Sequence, residues 1–235
     1  QLLGEHRDGT MAEYVSVPAE NAFPIPDTLD FAQAAALGVN HLTAWRMLFT
    51  KARLQPWETV LIFGIGGGVS LAALQLARLV GATTIVTSRH AGKLERAQRE
   101  FGADHLIDGS REDIARRALE LTGGRGVDVV IENVGEAVWS HALKSLVRGG
   151  RLVTCGATSG SQPGADLQRM FIRQLQVLGS TMGDRSEFAA LLEVCARGRL
   201  KPLIEQRYPM GDVHAALARL EAGEQFGKLA LTIAE

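Results

Sequence analysis

A doubly wound α/β fold, with a parallel six-stranded sheet and helices on both faces, is predicted by three features of the chain. Residues 59–82, TVLIFGIGGGVSLAALQLARLVGA, pass from an apolar strand through Gly64, Gly66, Gly67 and Gly68 straight into a helix pattern. Short β-branched runs then alternate with helical patterns as far as residue 178. With 235 residues, 46% of them hydrophobic, the chain can bury a large core behind such a sheet.

Each element has a local reason. Residues 59–63 are apolar or β-branched, as in a strand buried on both faces. Val69, Ala72, Ala73, Leu76 and Val80 then share one helical face. Upstream, AEYVSV (12–17) is a strand candidate, and Pro24 and Pro26 mark an extended crossing segment. Asp30 is an N-cap candidate for an Ala-rich helix through Leu37, and a second helix is expected over about 42–52. Downstream, strands are expected at 83–88, 105–107, 127–132, 151–155 and 175–178, and helices at 92–102, 111–121 and 137–147. Parallel strands joined by helices need right-handed crossovers, and six of them suit the order 3-2-1-4-5-6. The tail changes character: helices at 187–196 and 213–222 alternate with strands at 203–208 and 228–233. The division expected is 1–37 and 184–235 as parts of a second domain, flanking a nucleotide-binding domain at 38–183.

Composition excludes several function classes. A formal charge of −1 with no Lys/Arg run gives no footprint for nucleic acid or an anionic membrane surface. No apolar run approaches the ~20 residues of a membrane-spanning helix. Cys155 and Cys195 are far apart, which suggests neither a disulfide framework nor a zinc knuckle and predicts a reducing, cytoplasmic setting. No signal peptide is visible, and a chain beginning at Gln1 with no methionine leaves its native start open.

The glycine turn carries the chemistry. A pyrophosphate needs backbone N–H donors and the positive end of a helix dipole, and a Cβ in the turn would hold it off. Strand, glycine turn and helix therefore predict a dinucleotide site, although Val69 or Ser70 stands where the usual fingerprint ends in glycine. A carboxylate at the end of the second strand would accept from the 2′-hydroxyl of NAD. Here no acidic residue lies between Ala82 and Lys93, while Ser88, Arg89 and Lys93 offer a hydroxyl and two positive charges. That pattern favours NADP(H).

The segments GTMAEYVSVP (9–18), AAALGVNHLTAW (34–45), ETVLIFGIGGGVSLAALQLA (58–77), KLERAQREFGADHLID (93–108), GGRGVDVVIENVG (123–135), GGRLVTCGATSG (149–160), RQLQVLGSTMG (173–183) and FGKLAL (226–231) carry a resemblance across essentially the whole chain. The chain resembles the medium-chain dehydrogenase/reductase superfamily, in its branch of zinc-type alcohol dehydrogenases and quinone-oxidoreductase-like enzymes. The resemblance implies that residues 64–70 form the pyrophosphate loop, in its longer form with Ser70 in place of the last glycine. It implies that Asn133, Val134 and Gly135 border the nicotinamide ribose, and that Gly156, Ala157, Thr181 and Met182 line the ring pocket. Thr43 would lie by the nicotinamide and phosphates, and Phe226, Gly227 and Lys228 would close over the cofactor. The sixth strand pairs across the two-fold axis of family dimers, which implies a homodimer or tetramer. The two flanking segments correspond to remnants of a GroES-like catalytic domain, most of which precedes the segment beginning here. One family zinc ligand falls at Val39, whose side chain cannot bind a metal, so no catalytic zinc is expected on these residues.

Asn40 and His41 join Thr43 as catalytic candidates, with His41 a possible proton relay. Glu132 is expected either at the ribose or as a charged cap. The cysteines, Trp45, Trp57 and Trp139 are read as packing residues, and His6, His105, His141 and His214 share no spacing. The activity implied is hydride transfer between NADP(H) and an alcohol, carbonyl, quinone or enone. The alternative expectation is a non-catalytic cofactor-binding module or a truncated fragment of such an enzyme.

Overall fold

A computed structural model of the chain describes residues 2–233. The central sheet has six parallel strands in the order β3-β2-β1-β4-β5-β6: β1 (Thr59–Ile62), β2 (Thr83–Ser88), β3 (His105–Asp108), β4 (Val127–Glu132), β5 (Leu146–Thr154) and β6 (Gln176–Gly179). Helices α3 (Gly68–Val80), α4 (Ala91–Phe101), α5 (Ile114–Leu121), α6 (Glu136–Ser145) and α7 (Leu167–Arg173) provide the connections. The doubly wound order is the expected one. Its switch point lies between β1 and β4, whose carboxyl ends flank the glycine turn.

The continuous apolar run of β1 is explained by its two faces. Val60 and Ile62 pack with Leu71, Leu74 and Met47, whereas Leu61 and Phe63 pack with Ile85, Ile107 and Val130. Apolar residues on both sides leave no polar face to alternate with. Helix ends follow local rules. Gly102 ends α4 in the left-handed conformation, and Asp113 caps α5 by accepting from Arg116 N–H. Asp184 and Glu187 form a capping box at the start of α8 (Arg185–Ala196). The last strands, β7 (Ile204–Pro209) and β8 (Lys228–Thr232), pair in parallel around α9 (Val213–Glu221).

Three local expectations differ from what is found. The stretch 12–17 lies in no strand, and Tyr14 is 89% exposed. Its β-branched residues suit a strand, but no neighbouring strand among the described residues offers it a ladder. The two helices expected at 30–37 and 42–52 are one helical course: α1 (Phe31–Ala36), a π-helical turn (Leu37–His41), α2 (Leu42–Trp45) and a second π-helical turn (Arg46–Lys51). Buried Leu37, Asn40, His41, Leu42, Thr43, Ala44, Met47 and Leu48 hold this course together. Finally, α6 ends at Ser145, and the glycines read as its stop, Gly149 and Gly150, lie inside an irregular β5. Arg169 donates to the Leu143 and Lys144 carbonyls and Arg173 to that of Leu146, which caps the α6 end without glycine.

The amino-terminal crossing segment packs on α8. Phe23 meets Phe188 edge-on at 5.1 Å, and Thr28 Oγ1 donates to the Cys195 carbonyl at 2.7 Å.

Candidate functional site

The site is built at the carboxyl end of β1. Gly64 (φ +67°) and Gly66 (φ +110°) take backbone conformations that side chains resist. The Ile65 N–H donates to the Thr87 carbonyl at 2.8 Å, so the turn is fastened to β2. A Cβ on Gly66 would lie 2.7 Å from Lys93 Cδ, and one on Gly68 would lie 2.7 Å from Asn40 Cγ. Gly67 occupies the N-cap of α3, so no side chain caps that helix. Its first-turn N–H groups and positive dipole end face the turn.

Ser70, at the position of the missing glycine, is buried and has a structural task. Its hydroxyl donates to the Phe63 carbonyl at 2.7 Å and accepts from Asn133 Nδ2 at 3.2 Å. The glycine turn is thereby tied to the end of β4. Val134 also reaches the turn, its Cγ2 lying 3.4 Å from where a Gly64 Cβ would be.

Glu132, fully buried, organises the loop after β4. Its Oε1 accepts from the N–H groups of Val134 (2.5 Å) and Gly135 (2.6 Å), and its Oε2 from the Thr154 hydroxyl (3.0 Å). Of the two roles expected for it, the cap is the one its contacts display. Gly156 lies where a Cβ would come 3.0 Å from the Asn133 carbonyl, which lets the β5 loop close on the β4 loop. Ala157 is exposed beside it.

At the end of β2, Ser88 is buried with its Oγ accepting from His90 N–H, and Arg89 is exposed. Lys93 is placed differently from a free strand-end cation. Its stem crosses Gly66 and its Nζ donates to the Gly223 carbonyl at 2.6 Å. Burial lowers its pKa, against the pull of Glu205. Phe226 is also drawn in: it is buried beside Gly66, and the Arg96 guanidinium sits 4.3 Å from its ring centroid. The Gly227 N–H donates to the Gly66 carbonyl at 2.9 Å, so the carboxyl-terminal segment braces the turn. Burial likewise lowers the pKa of Lys228.

The helical course before β1 supplies the remaining candidates. Thr43 is buried, with its hydroxyl 3.8 Å from Met182 Sδ; Met182 has φ +47° and Thr181 is exposed. Arg46 fixes this course to α8 through Glu187 (2.8 Å) and Asp184 (2.9 Å), and Thr50 also donates to Glu187. His41 faces α3, its Nε2 3.2 Å from Gln75 Oε1. Burial drives its pKa down to about 4, against the hydrogen bond to the Gln75 amide oxygen and the pull of the Ala36 backbone, and the Lys228 charge lowers it further. His41 is therefore neutral at pH 7. Asn40 is 8% exposed, and its Nδ2 has no hydrogen-bond partner among the described residues.

A folded-state pKa below the unfolded value means that the unfolded chain binds more protons between about pH 4 and 6.5. The His41 contribution is then complete above pH 6.5 and is lost as pH falls toward 4, amounting to about 3 kcal/mol. Urea unfolding at pH 7 and pH 4.5 is expected to show a smaller acid loss for His41→Gln than for the parent. Equal losses would contradict the assignment.

The structure thus brings together residues 64–70, Asn40, Asn133, Val134, Lys93 and Phe226 around one turn, and leaves Arg89 and Thr181 in solvent. Sequence reasoning missed Gln75, Glu205 and the extent of the Glu132 cap. Glu205, at 3.0 Å from the Phe226 N–H and paired with Arg96 and Arg219, holds the bracing segment. The residues present fit a dinucleotide: the glycine cradle would be filled by Cβ atoms, the helix end is uncapped, and a buried amide lacks a partner. They do not supply a zinc site. Val39 presents a 58% exposed hydrocarbon side chain, and no three His, Cys, Asp or Glu residues gather as metal ligands among the described residues.

Comparison with known proteins places these features in a family. Residues 68–197 match the family model described as zinc-binding dehydrogenase. An NAD-dependent alcohol dehydrogenase of Saccharolobus solfataricus is 31% identical over 97% of this chain and 66% of its own length. A quinone oxidoreductase of Pseudomonas aeruginosa is 32% identical over 95% of this chain and 71% of its own. A crystal structure of an NAD-dependent alcohol dehydrogenase superposes with a TM-score of 0.94 and 38% identity, covering 100% of this chain and 68% of that one. The chain spans about two thirds of the length of these relatives. It belongs to the zinc-binding dehydrogenases of the medium-chain dehydrogenase/reductase superfamily.

Proposed function

We propose that this chain holds the cofactor of an oxidoreductase that moves hydride between NADP(H) and an alcohol, carbonyl, quinone or enone. The observation that carries the reading is the uncapped α3 terminus behind Gly64 and Gly66, at the switch point of the sheet. When bound, the nicotinamide supplies the hydride chemistry. The chain's own residues bind and orient. Gly64, Gly66, Gly67, Gly68, Val69 and Ser70 cradle the pyrophosphate, and Asn133, Val134 and Gly135 border a ribose. Gly156, Ala157, Thr181 and Met182 line the ring pocket beside Thr43. Phe226 and Lys228 close the cofactor side from the carboxyl-terminal segment. Asn40 and His41 are the remaining candidates, both buried on the π-helical turn against α3, and burial keeps His41 neutral at pH 7.

NADPH preference rests on Arg89, exposed at the end of β2, and on the lack of a strand-end carboxylate; Ser88 Oγ already accepts from His90 N–H and Lys93 Nζ donates to the Gly223 carbonyl. The Saccharolobus solfataricus relative is NAD-dependent by name, which concerns that protein. One charge-assisted phosphate contact is worth about tenfold or more in affinity. Arg89→Glu is therefore expected to bring the NADPH:NADH affinity ratio from about 10 or above to about 1. An unchanged ratio would remove Arg89 from the site. Loss of nicotinamide absorbance on adding quinones, enones or aldehydes tests turnover. Tight binding with no turnover on any of them would favour the cofactor-binding module.

Residues 1–37 and 184–235 are proposed as parts of a second domain, in keeping with the separate β7–β8 sheet beside α1. Pairing of two copies through β6 is supported by its place at the sheet edge and by exposed Leu167, Phe171 and Ile172 on α7. A reducing cytoplasm suits the two free cysteines.

A further inference from the structure

We infer that the Asn40 carboxamide is a donor to the diphosphate held at the α3 terminus, a side-chain ligand added to the backbone cradle. The inference rests on the dinucleotide reading above and names a contact that the glycine turn alone does not contain. Three observations meet at this residue. The residue is only 8% exposed, and its fully buried Nδ2 has no partner among the described residues. A buried amide N–H without an acceptor is costly, and such groups are rare in folded chains. The carboxamide lies directly over the first residue of α3, where a Gly68 Cβ would come within 2.7 to 2.9 Å of its Cγ, Nδ2 and Oδ1. That helix end has no side-chain cap, so an anion is the partner missing from both groups at once.

The backbone explains how Asn40 reaches this place. It sits in the π-helical turn Leu37–His41, whose extra residue per turn presents both Asn40 and His41 to α3. His41 directs its Nε2 to Gln75 Oε1, farther along α3, and its Nδ1 has no hydrogen-bond partner among the described residues. Asn40, one residue earlier, is left at the open helix end. A glycine at 68 gives the amide its room, which assigns that glycine a second role besides phosphate approach.

The test compares the 235-residue chain with Asn40→Ala and Asn40→Asp, titrated with ADP and with NADPH. ADP carries the diphosphate without the nicotinamide half. Asn40→Ala is expected to weaken both ligands about tenfold, the worth of one amide–phosphate hydrogen bond. Asn40→Asp keeps the size but aims a carboxylate at the anion. It is expected to weaken ADP by about a hundredfold or more, in a salt-dependent way, while a negative group at a helix start leaves the melting temperature unchanged or higher. That opposite movement of stability and affinity is one that a packing role does not produce. ADP affinities of both variants within about twofold of the parent would overturn the inference. Loss of NADPH affinity with ADP affinity retained would place the amide at the nicotinamide half and overturn it equally. Full ADP affinity in Asn40→Asp beside a loss in Asn40→Ala would reduce Asn40 to a packing residue. Failure of the parent chain to bind either ligand would instead sink the dinucleotide reading, and this inference with it.

Discussion

Replacing Gly135 by alanine is expected to destabilise the chain by about 4 kcal/mol, from two separable sources. Its backbone, at φ +95° and ψ −134°, lies in a region open essentially to glycine alone, which costs a side chain about 1–3 kcal/mol. The new Cβ would also stand 2.4 Å from the Gly160 carbonyl oxygen and 2.9 Å from Ala157 Cα. Both obstacles are main chain, so no rotamer change relieves them, and overpacking of this kind costs about 1–3 kcal/mol more. In a chain of this size the two together lower the melting temperature by roughly 8–16 °C. Calorimetry of the purified variant checks the figure. A loss below about 1 kcal/mol would mean that the loop after β4 is not held as described.

Glu132→Ala is expected to cost about 3–5 kcal/mol, from about 1–3 kcal/mol for each buried donor left without its acceptor. The carboxylate is fully buried and serves the Val134 and Gly135 N–H groups and the Thr154 hydroxyl. Its removal strands two main-chain donors at the start of α6 and cuts the side-chain tie between β4 and β5. Glu132→Gln keeps an acceptor and the volume, and is expected to recover more than half of the loss. Urea unfolding of the two variants separates a capping role from simple space filling: if Gln were as harmful as Ala, the cap would not be what Glu132 contributes. Because Gly135 donates to this same carboxylate, the double variant is expected to lose less than the sum of the two.

The parts legible in the sequence were those decided locally. Strand β2 and strand β4 fall at the predicted residues because their β-branched runs end where the next helix signal begins. Asp30 announces its helix through capping chemistry confined to a few residues, whereas the capping box of Asp184 and Glu187 emerges only in the structure. What was not legible depends on contacts between distant segments. The helical course 31–51 is continuous because α3 and α8 bury one of its sides, through the Arg46–Glu187 pair among others. The strand read at 12–17 is missing because pairing is a property of two segments.

The site divides in the same way. Gly64, Gly66 and the start of α3 could be read directly, since the turn and the helix are adjacent in sequence. Ser70 looked like a defect in the fingerprint. Its bonds to Phe63 and Asn133, seven and 63 residues away, make it a fastening instead. Lys93 was read as a strand-end cation. The Gly223 carbonyl, 130 residues along the chain, is what draws its ammonium group across Gly66. For Asn40 and Gly68 the signal existed, a polar residue in an apolar helix and a fourth glycine, but only the packing shows that the two face each other.

The central claim is that the turn at residues 64–70 and the α3 terminus hold a nicotinamide dinucleotide. Titration of the purified chain with NADPH and with NADH, followed by nicotinamide fluorescence, tests it most directly. The account predicts saturable binding of both, with NADPH tighter by about tenfold. No saturable change with either dinucleotide would contradict it.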